Sequence, residues 1–417
     1  MVNYTKHILH NGLTVLTHEA ADTPLATVNV LYNVGARDED PGRTGFAHLF
    51  EHLMFSGTPQ VPDFDAAVSA MSGECNAFTN NDYTNYYMTV PSQYLQDALR
   101  LEADRMKNLR VSAKALEVQQ RVVTEEYKQR YVNQPYGDVW LLLRPLCYKV
   151  HPYRWCTIGS DIRHVSEAGL DDVVAFHQRH YRPENAVLAV ASPLSHDAML
   201  RMVEEAFGSE ADPAAAEGEA MALRGNRVHE PEQTEARELT VEREVPTTGV
   251  YLAYPMWDHF DGRFRACDLL SDVLSNGKSS RLYNRIVKQG VMTEADAYIT
   301  GDAGDGLFVL CGKLNEGVTV EQAQDALRHE VRLLAEEGVG DYELAKVVNK
   351  YESTFVLSQY KAADRALALC YYTWLGDTGL IDREPAEYAK VRADDLRQAA
   401  VQLFVPNHEN RLIYLAK

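Results

Sequence analysis

The chain has 417 residues, 46% of them hydrophobic and 24% charged, and a formal net charge of −19 at pH 7. It is longer than one hydrophobic core serves, so two or more domains are expected, and no apolar run approaches the ~18 residues a membrane span needs. The acidic balance excludes a nucleic-acid surface, which rests on clustered Lys and Arg, and favours basic or neutral ligands.

Six cysteines, Cys75, Cys147, Cys156, Cys267, Cys311 and Cys370, are scattered without a CxxC pair. That usage predicts reduced, mostly buried thiols and excludes a cysteine zinc site. The opening residues lack a basic n-region followed by an apolar block and a small-residue cleavage site, so the reading is cytoplasmic.

In chain order, "KHILHNGLTVLTHEA" places two β-type runs around Asn11-Gly12, the dipeptide of a tight hairpin turn. "LATVNVLYNVG" reads as a strand, and a helical pattern follows around "TGFAHLFEHLMFSGT", with another over "DFDAAVSAMSG". Two alternating runs, "CNAFTNN" and "YTNYYMTV", predict strands, and helices are expected from Ser92 to about Val132. Strands interleaved with helices in this order indicate an α+β protein of two related domains, each a sheet packed with helices. An acidic, Ala-rich stretch without apolar periodicity begins at Ser209 and marks a connection. The predicted division is a domain over 1–215, a linker over 216–238 and a second domain over 239–417.

The second half repeats the first. QDALR occurs at Gln96–Arg100 and again at Gln324–Arg328, and Leu116 and Leu344 follow at the same distance. "HLFEHLMFSG" parallels "DLLSDVLSNG", so His48, Glu51 and His52 correspond to Asp268, Ser271 and Asp272, and Glu126 to Thr354. A structural need would recur in both copies, whereas a function can live in one.

On a helix, positions i, i+3 and i+4 share a face, so His48, Glu51 and His52 stand together. Two neutral imidazoles there can hold one metal ion, and a hydrolytic zinc site adds a third protein ligand while keeping a position open. Glu51 reads as the general base that takes a proton from the attacking water. The third ligand must come from elsewhere in the chain.

HLFEH, followed by "GECNAFTNNDYTNYYMTVP" and "QQRVVTEEYKQR", resembles the inverzincin metallopeptidases, the family of pitrilysin, insulin-degrading enzyme and mitochondrial processing peptidase, in its short bacterial form. The likeness extends to the NGLTV hairpin, to "FHQRHYRPENAVLAV" and to "SNGKSSRLYNRI". It implies one zinc per chain on His48, His52 and Glu126, with Glu125 as the alternative third ligand and Glu51 as catalytic base. Relatives carry an acidic residue seven positions before the third ligand, where this chain has Gln119, an uncharged group able to orient a ligand by hydrogen bonding. Asn76, Ala77 and Phe78 match the edge strand along which the family binds an extended peptide. Relatives also carry an Arg and a Tyr seven apart in the second half; here Arg285 is followed at that distance by Met292, with Thr293 beside it, so the pair is expected to be absent. Some short relatives work as two homologous chains, one with each motif, so a homodimer or a heterodimer with a homologue is predicted. The implied reaction is hydrolysis of internal bonds in short unstructured peptides. The rival reading is a non-catalytic scaffold subunit of the same fold.

Overall fold

The structure, a computed structural model, describes residues 1–208, 228–301 and 303–417. Its described residues form two compact units. One takes Met1–Tyr127, 156–208 and Phe355–Glu384; the other takes Lys128–Trp155, the described residues of 228–354, and Pro385–Lys417. Each unit thus includes a segment that is distant in sequence from its main body. The connection expected over 216–238 lies outside the described residues as far as 227; from 228 to 236 the chain has no helix or strand.

Among the described residues, eleven strands make two sheets. They are β1 (Tyr4–Ile8), β2 (Thr14–Glu19), β3 (Leu25–Tyr32), β4 (Glu74–Thr79), β5 (Thr84–Pro91) and β6 (Ala186–Ser192) in the first unit. In the second they are β7 (Arg237–Arg243), β8 (Gly249–Met256), β9 (Met292–Ile299), β10 (Gly306–Leu314) and β11 (Asn410–Ala416). The first sheet runs β1-β2-β6-β3-β5-β4 and the second β7-β11-β8-β10-β9. Leaving β1 aside, the two orders match position for position. Each has one parallel pair at the same place, β2 with β6 and β7 with β11, and is otherwise antiparallel. The internal repeat read from QDALR is therefore a repeat of topology. The extra strand β1 pairs with β2 through the expected Asn11-Gly12 turn, where Gly12 takes φ +85°.

Helices pack on both faces of each sheet, without covering the whole of the first. In the second unit, Leu252, Phe308 and Leu310 pack with helices Phe264–Ser275, Val320–Glu336 and Ala393–Leu403, while the alternate residues Ala253, Leu307 and Val309 pack with helix Val139–Cys147. The period of two along each strand supplies both faces. Fully burying a Leu or Phe stabilises by about 1.5–3 kcal/mol, so these two layers dominate the unit's stability. In the first unit, helix Ala362–Trp374 lies on β3 and β6 and buries Leu369, Cys370 and Trp374, whose Nε1 donates to Asn33 Oδ1 at 2.9 Å. Helices Phe46–Leu53 and Leu95–Asn108 also pack on this sheet, the former against β4 and β5. Among the described residues, no helix is long and apolar enough to cross a membrane, and all six cysteines are free thiols.

Candidate active site

The helix FAHLFEHL, Phe46–Leu53, starts at Gly45, whose φ of +89° is in the left-handed region. A Cβ there would come within 2.7 Å of Val165 Cγ2 and 2.8 Å of the Ile158 carbonyl oxygen, so the position requires glycine. The buried carboxylate of Glu39 caps the helix by accepting from the Gly45 and Ala47 backbone amides, each at 2.8 Å. Phe46, Ala47, Leu49, Phe50 and Leu53 are buried and fix the helix's rotation. That rotation leaves Glu51 and His52 half-exposed and His48 at the edge of burial, 8% exposed.

Helix Ala113–Tyr127 brings Glu126 to this face. His48 Nε2 and His52 Nε2 lie 3.3 Å apart, and Glu126 Oε2 lies 3.3 Å from the first and 3.5 Å from the second. Three ligand atoms in so nearly equilateral a triangle fit a metal ion. Ligands held tetrahedrally at 2.0–2.1 Å from zinc are about 3.3 Å from one another. The donor set, two imidazoles and a carboxylate, is that of a hydrolytic zinc site with one position open. Glu125, the alternative ligand, is exposed and stands outside this group. Gln119 is half-buried on the same helix, and among the described residues no hydrogen bond joins it to His48, His52 or Glu126. A second group, His229, Asp258 and Asp305, lies in the other unit. There His229 is 63% exposed and its Nδ1 meets Asp305 at 2.8 Å, which an ordinary surface pair explains.

Glu51, half-exposed beside His52 and Glu126, interacts with Thr79 at the end of β4. Burial raises its pKa above the ordinary carboxylate value, against the pull of Thr79 and His52. A raised pKa suits a carboxyl that must both take up and release a proton. Strand β4 is the last in its sheet, so among the described residues one of its edges carries no strand. Asn76, Ala77 and Phe78 all lie on it. The Ala77 amide donates to Asn76 Oδ1 at 2.8 Å rather than into the ladder with β5, so it is directed to the open edge. The Phe78 ring packs edge-on to Tyr83, with centroids 5.9 Å apart.

The sequence reading missed several supporting residues. Tyr86, opposite Ala77 in the β4/β5 ladder, donates its hydroxyl to the Phe50 carbonyl at 3.2 Å and so ties this helix to the strand. Beneath it Arg105 and Glu102, 1% and 0% exposed, form a bidentate pair at 2.7 and 2.8 Å. The Arg105 guanidinium lies 4.6 Å from the Phe64 and Tyr86 ring centroids and 5.4 Å from that of Phe55. Thr79 had a readable signal, since it follows Phe78 and alternates with it. In the other unit, Arg285 is held by Glu330 at 3.0 Å, while Met292 is buried at the start of β9.

The fold and this site define a class: two sheets of one repeated topology, with a candidate metal centre of two histidines and a glutamate in the first unit. Residues 14–138 match the family model described as "Insulinase (Peptidase family M16)", and residues 168–351 match "Peptidase M16 inactive domain". The chain belongs to peptidase family M16, the insulinase or pitrilysin-like metallopeptidases. It is 28% identical over 406 residues to zinc protease PqqE of Helicobacter pylori, spanning 95% of this chain and 89% of that protein. The crystal structure of a protease from Helicobacter pylori superposes with a TM-score of 0.90 at 25% identity, over 99% of this chain and all of the other. The periplasmic protease PqqL from Escherichia coli shares the fold, with a TM-score of 0.77 at 18% identity; all of this chain covers 48% of that one.

Proposed function

We propose that the chain is a zinc-dependent metalloendopeptidase that cleaves internal bonds of short, unstructured peptides. The observation that carries this reading is the near-equilateral triangle of His48 Nε2, His52 Nε2 and Glu126 Oε2 beside Glu51. His48, His52 and Glu126 would hold the ion, and Glu126 rather than Glu125 is the third ligand. Zinc supplies Lewis acidity there, making a water easier to deprotonate and a carbonyl more electrophilic. Glu51 takes the proton from the attacking water and delivers it to the leaving amine. Asn76, Ala77 and Phe78 hold the substrate as a strand added to β4, by main-chain hydrogen bonds largely indifferent to sequence. On binding, the peptide replaces Asn76 as the acceptor for the Ala77 amide. Gln119 is assigned no direct role at the ligands.

The repeats 1–215 and 239–417, joined through 216–238, supply one metal centre per chain. A homologous partner, identical or carrying the Arg and Tyr pair, completes the enzyme. This chain's coverage of about half of the E. coli fold relative supports that pairing. Six free thiols support a reducing compartment, the cytoplasm, although the E. coli relative is described as periplasmic. The scaffold reading draws support from the description "inactive domain", but that match covers residues 168–351 and none of the trio.

The test is turnover of a mixture of unstructured peptides by the purified chain, untreated, chelated and restored with zinc. Cleavage that vanishes with chelator and returns with zinc is expected. A chain that binds zinc and cleaves nothing, with or without a homologous partner, contradicts the reading.

A further inference from the structure

Strand β4 turns alternate side chains to opposite faces of its sheet. Cys75 and Thr79 face the trio's side, the Cys75 thiol lying 3.8 Å from Asp65 Oδ1 and Thr79 meeting Glu51. Glu74 and Asn76 face the other way, onto a cleft of about 930 Å³. Its floor continues over Tyr87 and Thr89 of β5, which pair with Asn76 and Glu74. Its far wall is Tyr360–Asp364, at the start of helix Ala362–Trp374. That helix rests on β3 and β6 and leaves this part of the sheet open.

Charge and position give the cleft a chemistry. Asp22 on its rim is bonded by Arg365 at 2.9 and 3.1 Å and so is already answered. Glu74 and Asp364 have no ion-pair partner among the described residues, against a single such cation in the lining, Lys361. A peptide strand added to the free edge of β4 would stand about 4.5–5.5 Å, Cβ to Cβ, from its neighbours on that strand. The first charge its side chains meet on this face is therefore Glu74. The helix that Lys361 caps rests on β3, two strand spacings or about 10 Å further in. Tyr87 and the 79%-exposed Tyr360 bring aromatic rings to the same cleft, surfaces that attract guanidinium and ammonium groups.

We infer that this cleft is a side-chain subsite of the peptide strand, and that Glu74 makes it selective for arginine or lysine. The inference rests on the peptidase reading above and adds a substrate class to it. Glu51 meets β4 at Thr79, and Asn76 and Glu74 lie three and five residues before Thr79. At ~3.3 Å per residue that is about 10–17 Å, so the selected residue sits three to five positions from the cleaved bond. The net charge of −19 draws basic peptides to the protein in general; the cleft reads where along the peptide the basic residue lies.

The experiment moves a single lysine, and then a single glutamate, through an otherwise neutral unstructured peptide. It reads kcat/KM of the zinc-loaded protein and, separately, the affinity of the Glu51→Gln protein by fluorescence anisotropy, which needs no turnover. Lysine is expected to exceed glutamate by about tenfold in both readouts at three to five positions from the bond. Glu74→Lys should invert that order, and Glu74→Gln should abolish it. Equal affinities at every position, or a preference that neither substitution moves, overturns the subsite. A protein that cleaves nothing but keeps the lysine preference in binding overturns the peptidase reading and leaves the subsite standing.

Discussion

Helix Phe46–Leu53 in the first unit and helix Phe264–Ser275 in the second occupy corresponding places in one repeated topology, yet their polar residues do different things. In the first, His48 and His52 turn ring nitrogens toward each other and toward Glu126. In the second, the corresponding groups make hydrogen bonds of ordinary structural kind. Asp268 accepts from the Tyr388 hydroxyl at 2.6 Å, Ser271 donates to the Asp268 carbonyl at 2.8 Å, and Asp272 accepts from Asn276 at 2.8 Å. The scaffold therefore needs the helix and does not need imidazoles on it. A second pair of positions teaches the converse. In the register set by QDALR, Glu102 corresponds to Glu330, and both are buried, 0% and 3% exposed. Glu102 is paired by Arg105 within its own helix, and Glu330 by Arg285 from another segment. The buried glutamate recurs with a different partner, whereas His48, His52 and Glu126 are replaced by Asp268, Asp272 and Thr354 at the corresponding positions of the second repeat.

Substitutions can break that contrast. The largest effect is expected at Glu51: Glu51→Gln should lower kcat by about 10²–10⁴-fold with zinc content unchanged, whereas Ser271→Ala should leave kcat alone. Steady-state kinetics with metal analysis on the same samples checks both. Arg105→Met strands a buried carboxylate and should cost about 3–5 kcal/mol in urea unfolding. Arg285→Met should cost less, because the Arg285 side chain is 47% exposed and water can replace it. Glu126→Gln should weaken zinc binding by at least the roughly 10–100-fold seen when a ligand's supporting partner is lost, with Glu125→Gln near parent, by competition with a chromogenic chelator. The smallest effect is expected at Asp268: Asp268→Ala removes the acceptor of Tyr388 and should cost about 1 kcal/mol of stability without changing turnover.

Much of the fold was legible because local patterns carry it. The Asn11-Gly12 turn, the alternating strands β4 and β5 and the HLFEH helix follow from turn chemistry and periodicity, and the chain's own repeat announced two sheets. Nothing local reports which sheet a helix packs against. The grouping of Lys128–Trp155 with the second sheet and of Phe355–Glu384 with the first was therefore not readable. At the site, the i, i+3, i+4 spacing placed His48, Glu51 and His52 on one face, but Glu126 sits 74 positions beyond His52 and only family likeness singled it out. Glu102 and Arg105 were passed over for a physical reason. A Glu and an Arg three apart on a helix look like a solvated surface pair, and only tertiary packing makes them a buried one.

The central claim is that the first unit's trio, and no group in the second, holds the metal that the chemistry needs. Its most direct test is zinc per chain by plasma mass spectrometry for the parent, the His48→Ala/His52→Ala double variant and the Asp268→Ala variant. The account predicts one zinc in the parent, none in the double variant and one in Asp268→Ala. A parent without zinc, or zinc kept by the double variant, would contradict it.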